Sequence, residues 1–324
     1  MNNRPLVSIA LTTYCGERHL PQQLDSLLGQ TYGNMEIVVS DDGSTDATWD
    51  ILNHYAKRDD RIRLLPRAEK LGVTRNFAQC FAACNGDLIS PCDQDDIWHP
   101  EKTDRLVSSM GDALLVYCNS RFVDEAGQPA GNTVADTLCM VDGDDPRPFL
   151  FSNSVLGHAM LFRKHLLAGD GAITHVPHDW WLAFVAASLG YITYLDEVLV
   201  DYRRHDTALT LVAASDRSTQ QRQMRLTEDA LRLKAMAEFP SPHQAYARRS
   251  QAKWLAWHSS YFDPRMFASV LLDAKTSHRA FLKEKTALRL SLKYLAGHRL
   301  KRLCLPGYYP ELESRDDFPE GNDQ

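Results

Sequence analysis

Between residues 93 and 96 the chain reads Asp-Gln-Asp-Asp, three carboxylates within one turn of chain. Like charges this close repel and raise one another's pKa, so the cluster is costly unless a cation or a donor compensates. Oxygen ligands of this kind suit Mg²⁺ or Mn²⁺, which bind one or two carboxylates and complete their shells with water and a diphosphate. The bland alternative is a solvated acidic loop. Its place after a strand, with Trp98-His-Pro100 opening a helix behind it, favours metal. A second group, Asp41-Asp42-Gly43-Ser44-Thr45-Asp46, is either a turn with a helix N-cap, for which these residue types are preferred, or half of a base pocket. In that pocket Thr12 and Tyr14 stand on the neighbouring strand end, the tyrosine ring stacks, and a carboxylate accepts from a pyrimidine N–H.

The elements that must position these groups follow from hydrophobic periodicity. Val7-Ser-Ile-Ala-Leu11 reads as a strand, after which Leu20, Leu24, Leu27 and Leu28 recur at helical spacing. The cycle repeats with strand 36–39, helix 48–55, strand 62–65, helix 73–84, strand 88–90, helix 101–110 and strand 113–118. Such alternation implies βαβ units and a mostly parallel sheet, whose ligands sit beyond the carboxyl ends of the strands. Both acidic groups fall there. No Gly-x-Gly-x-x-Gly follows the first strand and there is no Walker lysine loop, so neither a dinucleotide site nor a P-loop is supported.

Composition narrows the classes further. At 324 residues and 44% hydrophobic, the chain has ample core for one large α/β domain or two smaller ones. A net charge of −6 offers no overall field for a polyanion, so nucleic acid is not an expected partner. Seven cysteines without Cys-x-x-Cys spacing argue against a disulfide framework or a structural zinc site and fit a reducing cytoplasm. The apolar run 6–11 is too short for a signal peptide, and the uncharged stretch 180–195 is too short to span a bilayer; it reads as a buried helix followed by a strand.

Val7-Ser-Ile-Ala-Leu-Thr-Thr-Tyr14, Gln30-Thr-Tyr32, Glu36-Ile-Val-Val-Ser-Asp-Asp-Gly-Ser-Thr-Asp46, Gly86-Asp87 and Cys92-Asp-Gln-Asp-Asp-Ile-Trp98, in this order, resemble the family 2 glycosyltransferases with the GT-A fold. The resemblance covers about residues 5–205, and Asp93–Trp98 with His178-Asp-Trp-Trp181 looks like the bacterial rhamnosyltransferase-like branch. It implies a GT-A α/β domain over 1–205, a mostly parallel central sheet flanked by helices, and a helical C-terminal extension over 206–324. It also implies an inverting, metal-dependent transfer of a sugar, rhamnose from dTDP-rhamnose being the expected case, to a saccharide or lipid-linked acceptor of bacterial surface polysaccharide.

Roles carry over at matching positions. Thr12, Tyr14 and Asp42 would hold the base, Arg75 would approach the diphosphate, Asp93 the ribose or sugar, and Asp95 the metal. Glu17, Gln94, Asn153 and Trp180 join the donor set. Asp179 matches the catalytic base, although His178 stands where the usual partner is Glu. An aspartate one residue into a helix beside Trp180 and Trp181 suits that task, because burial raises its pKa; the other reading is a helix N-cap. His205 closes the metal shell as in relatives, or is a surface histidine beside two arginines. His158, in the loop 153–158, meets donor and acceptor or is a satisfied core residue.

Beyond Asp206 the pattern turns helical. Residues 275–302 hold nine Lys or Arg against Glu284 alone, interleaved with leucines. That segment reads as a peripheral contact with the inner face of the cell membrane, or as a solvated helical face. Trp254, Trp257 and Tyr261 fall at helical spacing and read as core. Two further readings stay open: a non-catalytic carbohydrate-binding or assembly subunit, and a phosphatase of the haloacid dehalogenase type with Asp93 as nucleophile. The latter places its Asp-x-Asp pair after the first strand, whereas here the pair follows the fourth.

Overall fold

Every residue of the first strand, β1 (Val7–Thr13), is buried in the computed structural model. Parallel neighbours flank it on both sides, and helices cover its faces, so no alternation of polar and apolar residues survives. The structure describes residues 4–67, 70–167, 176–204, 219–279 and 286–295. These fall into two compact units, Met1–His205 with His278–Glu284, and Asp206–Ser277 with Lys285–Gln324.

In the first unit β1 pairs in parallel with β2 (Met35–Asp41) and β4 (Leu88–Cys92), and β2 with β3 (Ile62–Leu64). The crossovers run through α1 (Leu20–Leu28), α2 (Thr48–Ala56) and α3 (Val73–Ala83), whose apolar stripes meet the sheet at Leu24, Leu27, Leu52 and Phe77. Beyond β4 the sheet continues through β5 (Ile97–Trp98), β6 (Leu115–Val123), β7 (Pro129–Thr133), β8 (Met160–Arg163) and β9 (Ile192–Arg203), in the order β3-β2-β1-β4-β8-β6-β9-β5 with β7 on β6. Between these strands come α4 (Lys102–Ser109), α5 (Val134–Thr137) and α6 (His178–Leu189). The GT-A α/β class expected from the motifs is therefore the one found.

The boundaries differ in instructive ways. β2 and β4 run on through Ser40-Asp41 and Pro91-Cys92, so the motif residues begin inside the ladder rather than after it. Trp98 does not open a helix: it ends β5, paired with Val200 of β9, and α4 starts only at Lys102. Pro100 explains this, because the residue before a proline is driven out of the helical region. β8 enters antiparallel between β4 and β6, a direction that periodicity cannot reveal. The stretch 180–195 is indeed helix then strand, and β9 shifts register at Asp196-Glu197, where Leu195 faces Cys118 and Val198 faces Asn119.

The second unit is helical: α7 (Thr219–Glu238), α8 (Gln244–His258), α9 (Pro264–Ser277) and α10 (Ala287–Leu295). Asp263 caps α9, its carboxylate accepting from the N–H groups of Arg265 and Met266 at 2.9 and 3.1 Å. Trp254 and Trp257 are core, the latter against the Tyr294 ring at 5.2 Å. Tyr261, read as core by spacing, is instead 53% exposed, because α8 ends at His258 and the spacing no longer applies.

Candidate active site

The carboxyl ends of β1 and β2 form a hydrogen-bonded rim. Asp41 is buried and accepts from Thr13 Oγ1 and the Ser44 N–H, both at 2.9 Å. Ser44 Oγ in turn accepts from the Cys15 N–H at 2.9 Å, which fixes the loop carrying Tyr14. Cys15 holds φ at +48°, a left-handed conformation that costs a residue with a Cβ and persists where surroundings over-determine it. Thr12 is buried at the strand end beside Ser40. Tyr14 is 41% exposed, and Lys70 Nζ stands 3.9 Å from its ring centroid. Asp42 accepts from the N–H groups of Leu71 at 2.5 Å and Gly72 at 3.0 Å, tying this rim to the start of α3.

The acidic loop after β4 is clasped to the same rim. Gln94 accepts the Tyr14 N–H at 2.8 Å and donates to the Tyr14 carbonyl at 3.1 Å. Gly16 makes room for this clasp, since a Cβ there would lie 2.2 Å from Gln94 Oε1. Gln94 thus works on the main chain of the rim. Within the loop, burial and the charges of Asp95 and Asp179 push the Asp93 carboxyl up to about 7. Asp96 is buried, accepts the Arg203 N–H at 3.1 Å, and is raised well above the ordinary carboxylate range, chiefly by burial. Among the described residues no group donates to its Oδ2, which lies 3.5 Å from His158 Nδ1.

Two buried cations stand behind this loop. Lys102 is 0% exposed, with Nζ 2.9 Å from the Trp98 ring centroid and 3.4 Å from Ser90 Oγ; burial lowers it to about 7. Arg203 is 1% exposed and spends its guanidinium on carbonyl oxygens. His158 is buried, lowered to about 3 by burial, and shares a 2.9 Å hydrogen bond with Ser120 Oγ.

Among the described residues, Asp93, Asp96 and His158 bring one ligand atom each within 4.8 Å of one another. Carboxylate oxygens and an imidazole nitrogen suit Mg²⁺ or Mn²⁺, and the Asp96 oxygen without a donor fits such an ion. Asp95, expected to carry the metal, is half-buried next to this set and outside it. His205, its expected partner, lies outside the described residues.

The third group comes from α6. Asp179 accepts its neighbour's N–H, that of Trp180, at 2.7 Å and the Asn153 Nδ2–H at 3.3 Å. Burial raises its carboxyl to about 6 against hydrogen bonds from the main-chain N–H groups of Trp180 and of Asp179 itself. Pro177 rather than Asp179 occupies the N-cap position, so the cap reading does not describe it. Asn153 is itself locked, donating to the Val155 carbonyl at 2.8 Å and accepting its N–H at 3.0 Å. Trp180 donates Nε1–H to the Phe149 carbonyl. His178 packs on the Phe77 ring at 4.0 Å and the Phe81 ring at 5.7 Å, and burial lowers it to about 3. It is a neutral apolar partner to Asp179, not a second carboxylate. Gly157 accommodates it, a Cβ there lying 2.7 Å from His178 Nε2.

The structure thus brings Asp179 close enough for its charge to act on Asp93, and along the rim it joins Gln94 to the Tyr14 main chain and the Asp42 N–H to the Thr13 carbonyl. Arg75 is exposed on the first turn of α3. Glu17 is turned to helix α2, accepting the Ala47 N–H at 2.9 Å. Sequence reasoning missed Lys102 and Arg203. A signal existed for the first: the buried stripe of α4, Leu106 and Met110, extended back four residues falls on Lys102.

Fold and site define a GT-A α/β protein with an acidic loop and, on α6, a half-buried carboxylate whose charge acts on Asp93. Residues 8–165 match the family model described as Glycosyl transferase family 2. EpsH of Bacillus subtilis (strain 168), which bears a glycosyltransferase name, is 30% identical over 62% of this chain and 61% of its own length. An uncharacterized glycosyltransferase of Haemophilus influenzae is 27% identical over 63% of this chain and 67% of its own. The chain thus spans less than two thirds of EpsH. Among solved structures, S. aureus TarS 1-349 in complex with UDP-GlcNAc superposes with TM-score 0.57 at 16% identity, covering 94% of this chain and 93% of that one. The mannosyltransferase PcManGT from Pyrobaculum calidifontis, in complex with GDP-Man and Mn²⁺, gives TM-score 0.54 at 18% identity over 90% and 86%. At these identities the likeness is one of fold.

Proposed function

We propose that the chain transfers a glycosyl group from a nucleoside-diphosphate sugar to an acceptor hydroxyl with inversion, Asp179 acting as general base. The observation that carries this reading is Asp179 itself: half-buried, raised to about 6 by desolvation, hydrogen-bonded to Asn153, and close enough for its charge to act on Asp93. In one step Asp179 takes the proton of the acceptor hydroxyl, that oxygen bonds to the anomeric carbon, and the bond to the diphosphate breaks on the opposite face. A Mg²⁺ or Mn²⁺ ion held by the acidic residues, Asp95 included, would offset the two charges left on the departing diphosphate. Tyr14 stacks the base, Thr12 and Asp42 line it, and Arg75 reaches the diphosphate. Asp93, Gln94 and Trp180 complete the donor side.

For the donor we take dTDP-rhamnose, and for the acceptor a saccharide or lipid-linked saccharide of bacterial surface polysaccharide. TarS and PcManGT hold a uridine and a guanosine nucleotide on one fold, so the base is chosen by side chains such as Tyr14 and Asp42 rather than by the sheet. Among the described residues no helix is long and apolar enough to cross a membrane. Peripheral contact with the inner face of the cell membrane is supported by α10, which exposes Leu288 (54%) and Leu292 (55%) one turn apart beside Arg289.

The test is thermal unfolding with Mn²⁺ and thymidine, uridine or guanosine diphosphate, followed by transfer assays with the matching sugars. Ligand at about 100 times its Kd adds about 2.7 kcal/mol, enough to raise Tm by several degrees. A shift confined to thymidine diphosphate, with rhamnose transfer that Asp179→Asn abolishes, supports the reading. Nucleotide binding with no sugar release from any donor replaces it with a binding subunit.

A further inference from the structure

His158 lies in the turn that leads into β8, and its two ring nitrogens meet different partners. Nε2 shares a 2.9 Å hydrogen bond with Ser120 Oγ on β6. Nδ1 faces Asp96 Oδ2 at 3.5 Å, too far for a hydrogen bond, and burial keeps the ring neutral, so the two do not form an ion pair either. Among the described residues no group donates to that oxygen, although Asp96 is only 1% exposed. A buried carboxylate oxygen without a donor is costly, and one ligand atom from each of Asp93, Asp96 and His158 lies within 4.8 Å of the others. The Tyr202 ring packs on that of His158 at 4.4 Å and limits its rotation. In the same turn a Cβ at Gly157 would lie 3.7 Å from the Asp179 Cβ, so the imidazole is held next to the helix that carries the proposed base.

We propose that His158 is a ligand of the divalent cation through Nδ1, and that Ser120 is its positioning residue. This rests on the metal-dependent reading given above and adds a nitrogen ligand to it. Imidazole binds a metal through its unprotonated nitrogen, and the hydrogen bond made by the other nitrogen decides which one that is. With the ring proton on Nε2 and donated to Ser120 Oγ, the lone pair of Nδ1 is turned toward Asp96. The opposite tautomer would offer Asp96 an N–H, and the 3.5 Å separation shows that no such bond is made. Lys102 opposes a second cation, because its charge acts on both Asp96 and His158; burial lowers it to about 7, so at pH 8 that opposition is largely removed.

The test uses the full chain at pH 8 with Mn²⁺ as probe, with and without thymidine or uridine diphosphate. Loss of the free-ion EPR signal gives the Kd, and nitrogen modulation of the electron spin echo reports an imidazole bound to the ion. Wild type should show that modulation. His158→Gln should lose it and bind Mn²⁺ at least tenfold more weakly. Ser120→Ala should keep the modulation and raise the Kd about tenfold, the range of a lost partner behind a metal ligand. Leu52→Ala, a buried change in α2, should lower Tm and leave the Kd within twofold. Should His158→Gln fail to fold, the modulation in wild type and the Kd of Ser120→Ala still decide. Wild-type protein that binds Mn²⁺ without nitrogen modulation overturns the inference and leaves the metal-dependent reading standing. Modulation of wild-type depth in His158→Gln assigns the nitrogen to another residue and also overturns it. A wild-type Kd in Ser120→Ala, or an equal loss in Leu52→Ala, overturns the positioning role. Wild-type protein that takes up no Mn²⁺ with either nucleotide overturns the metal-dependent reading and this inference together.

Discussion

The rim that would receive the base and the pocket that would run the reaction are built on opposite principles. Around Tyr14, Asp41 and Asp42 nearly every polar group is spent on main chain or on a neighbouring hydroxyl, and the ring that would stack stays open to solvent. Around Asp93, Asp96 and Asp179 the charges are enclosed, and burial drives their carboxyls upward while it drives Lys102 and His158 downward. A rim of satisfied hydrogen bonds holds a shape; a pocket of strained charges holds a chemical potential. Binding needs the first and proton transfer the second, which is where perturbed groups are expected to gather.

Asp179→Asn strains this comparison hardest. Transfer should fall about 10²- to 10⁴-fold, the range of a lost general base, while nucleotide-induced shifts in Tm persist. Stability should move the other way. A carboxyl raised from 3.8 to about 6 in the fold binds its proton more tightly than in the unfolded chain, so its ionised form is a cost above pH 6. The asparagine variant should therefore be more stable at pH 8, by about 3 kcal/mol, with the gain fading as pH falls toward 4; urea titrations at both pH values check this. In wild type the same group gives transfer an acidic limb near pH 6. A variant that loses activity and stability together would show that Asp179 belongs with the structural rim.

Tyr14→Ala removes the open face of the rim. Base stacking on an aromatic is worth about 1–3 kcal/mol, so nucleotide Kd should rise about 10- to 100-fold by calorimetry, with kcat at saturating donor little changed.

Lys102→Met probes the buried charge directly. Burial takes this lysine from 10.5 to about 7, so between those values the unfolded chain binds the extra proton and wild-type stability should rise with pH by about 1.4 kcal/mol per unit from this group. Denaturation at pH 7, 8 and 9 should show a flatter slope in the variant. An unchanged slope would mean that Lys102 is not the group that titrates there.

The smallest expected effect is Tyr14→Phe. The hydroxyl makes no contact that the stack requires, so nucleotide affinity should stay within twofold while the alanine variant loses it. Equal losses in the two would replace stacking with a hydroxyl contact.

Much of the rim could be read from residue types and order, because its contacts are local to strand ends: Thr12 and Tyr14 close β1, Asp41 and Asp42 close β2, and Asp93–Asp96 closes β4. Apolar runs and helical spacing were enough to stack these ends side by side, since a right-handed βαβ crossover leaves few other arrangements. The pocket was harder. Asp96 meets His158 across 62 positions of chain and Arg203 across 107, and Gln94 meets Tyr14 across 80. The antiparallel entry of β8 beside β4 decided the first of these encounters, and no periodicity records a strand's direction. The stripe of Leu106 and Met110 points back to Lys102, but only the closing of the sheet decides that its charged end is buried as well. Residue order determined which chemical groups this protein owns and which strand ends carry them. Only tertiary structure decided which of them lie in water and which are buried together, and that difference sets their protonation, because the cost of a charge depends on what surrounds it rather than on its neighbours in sequence.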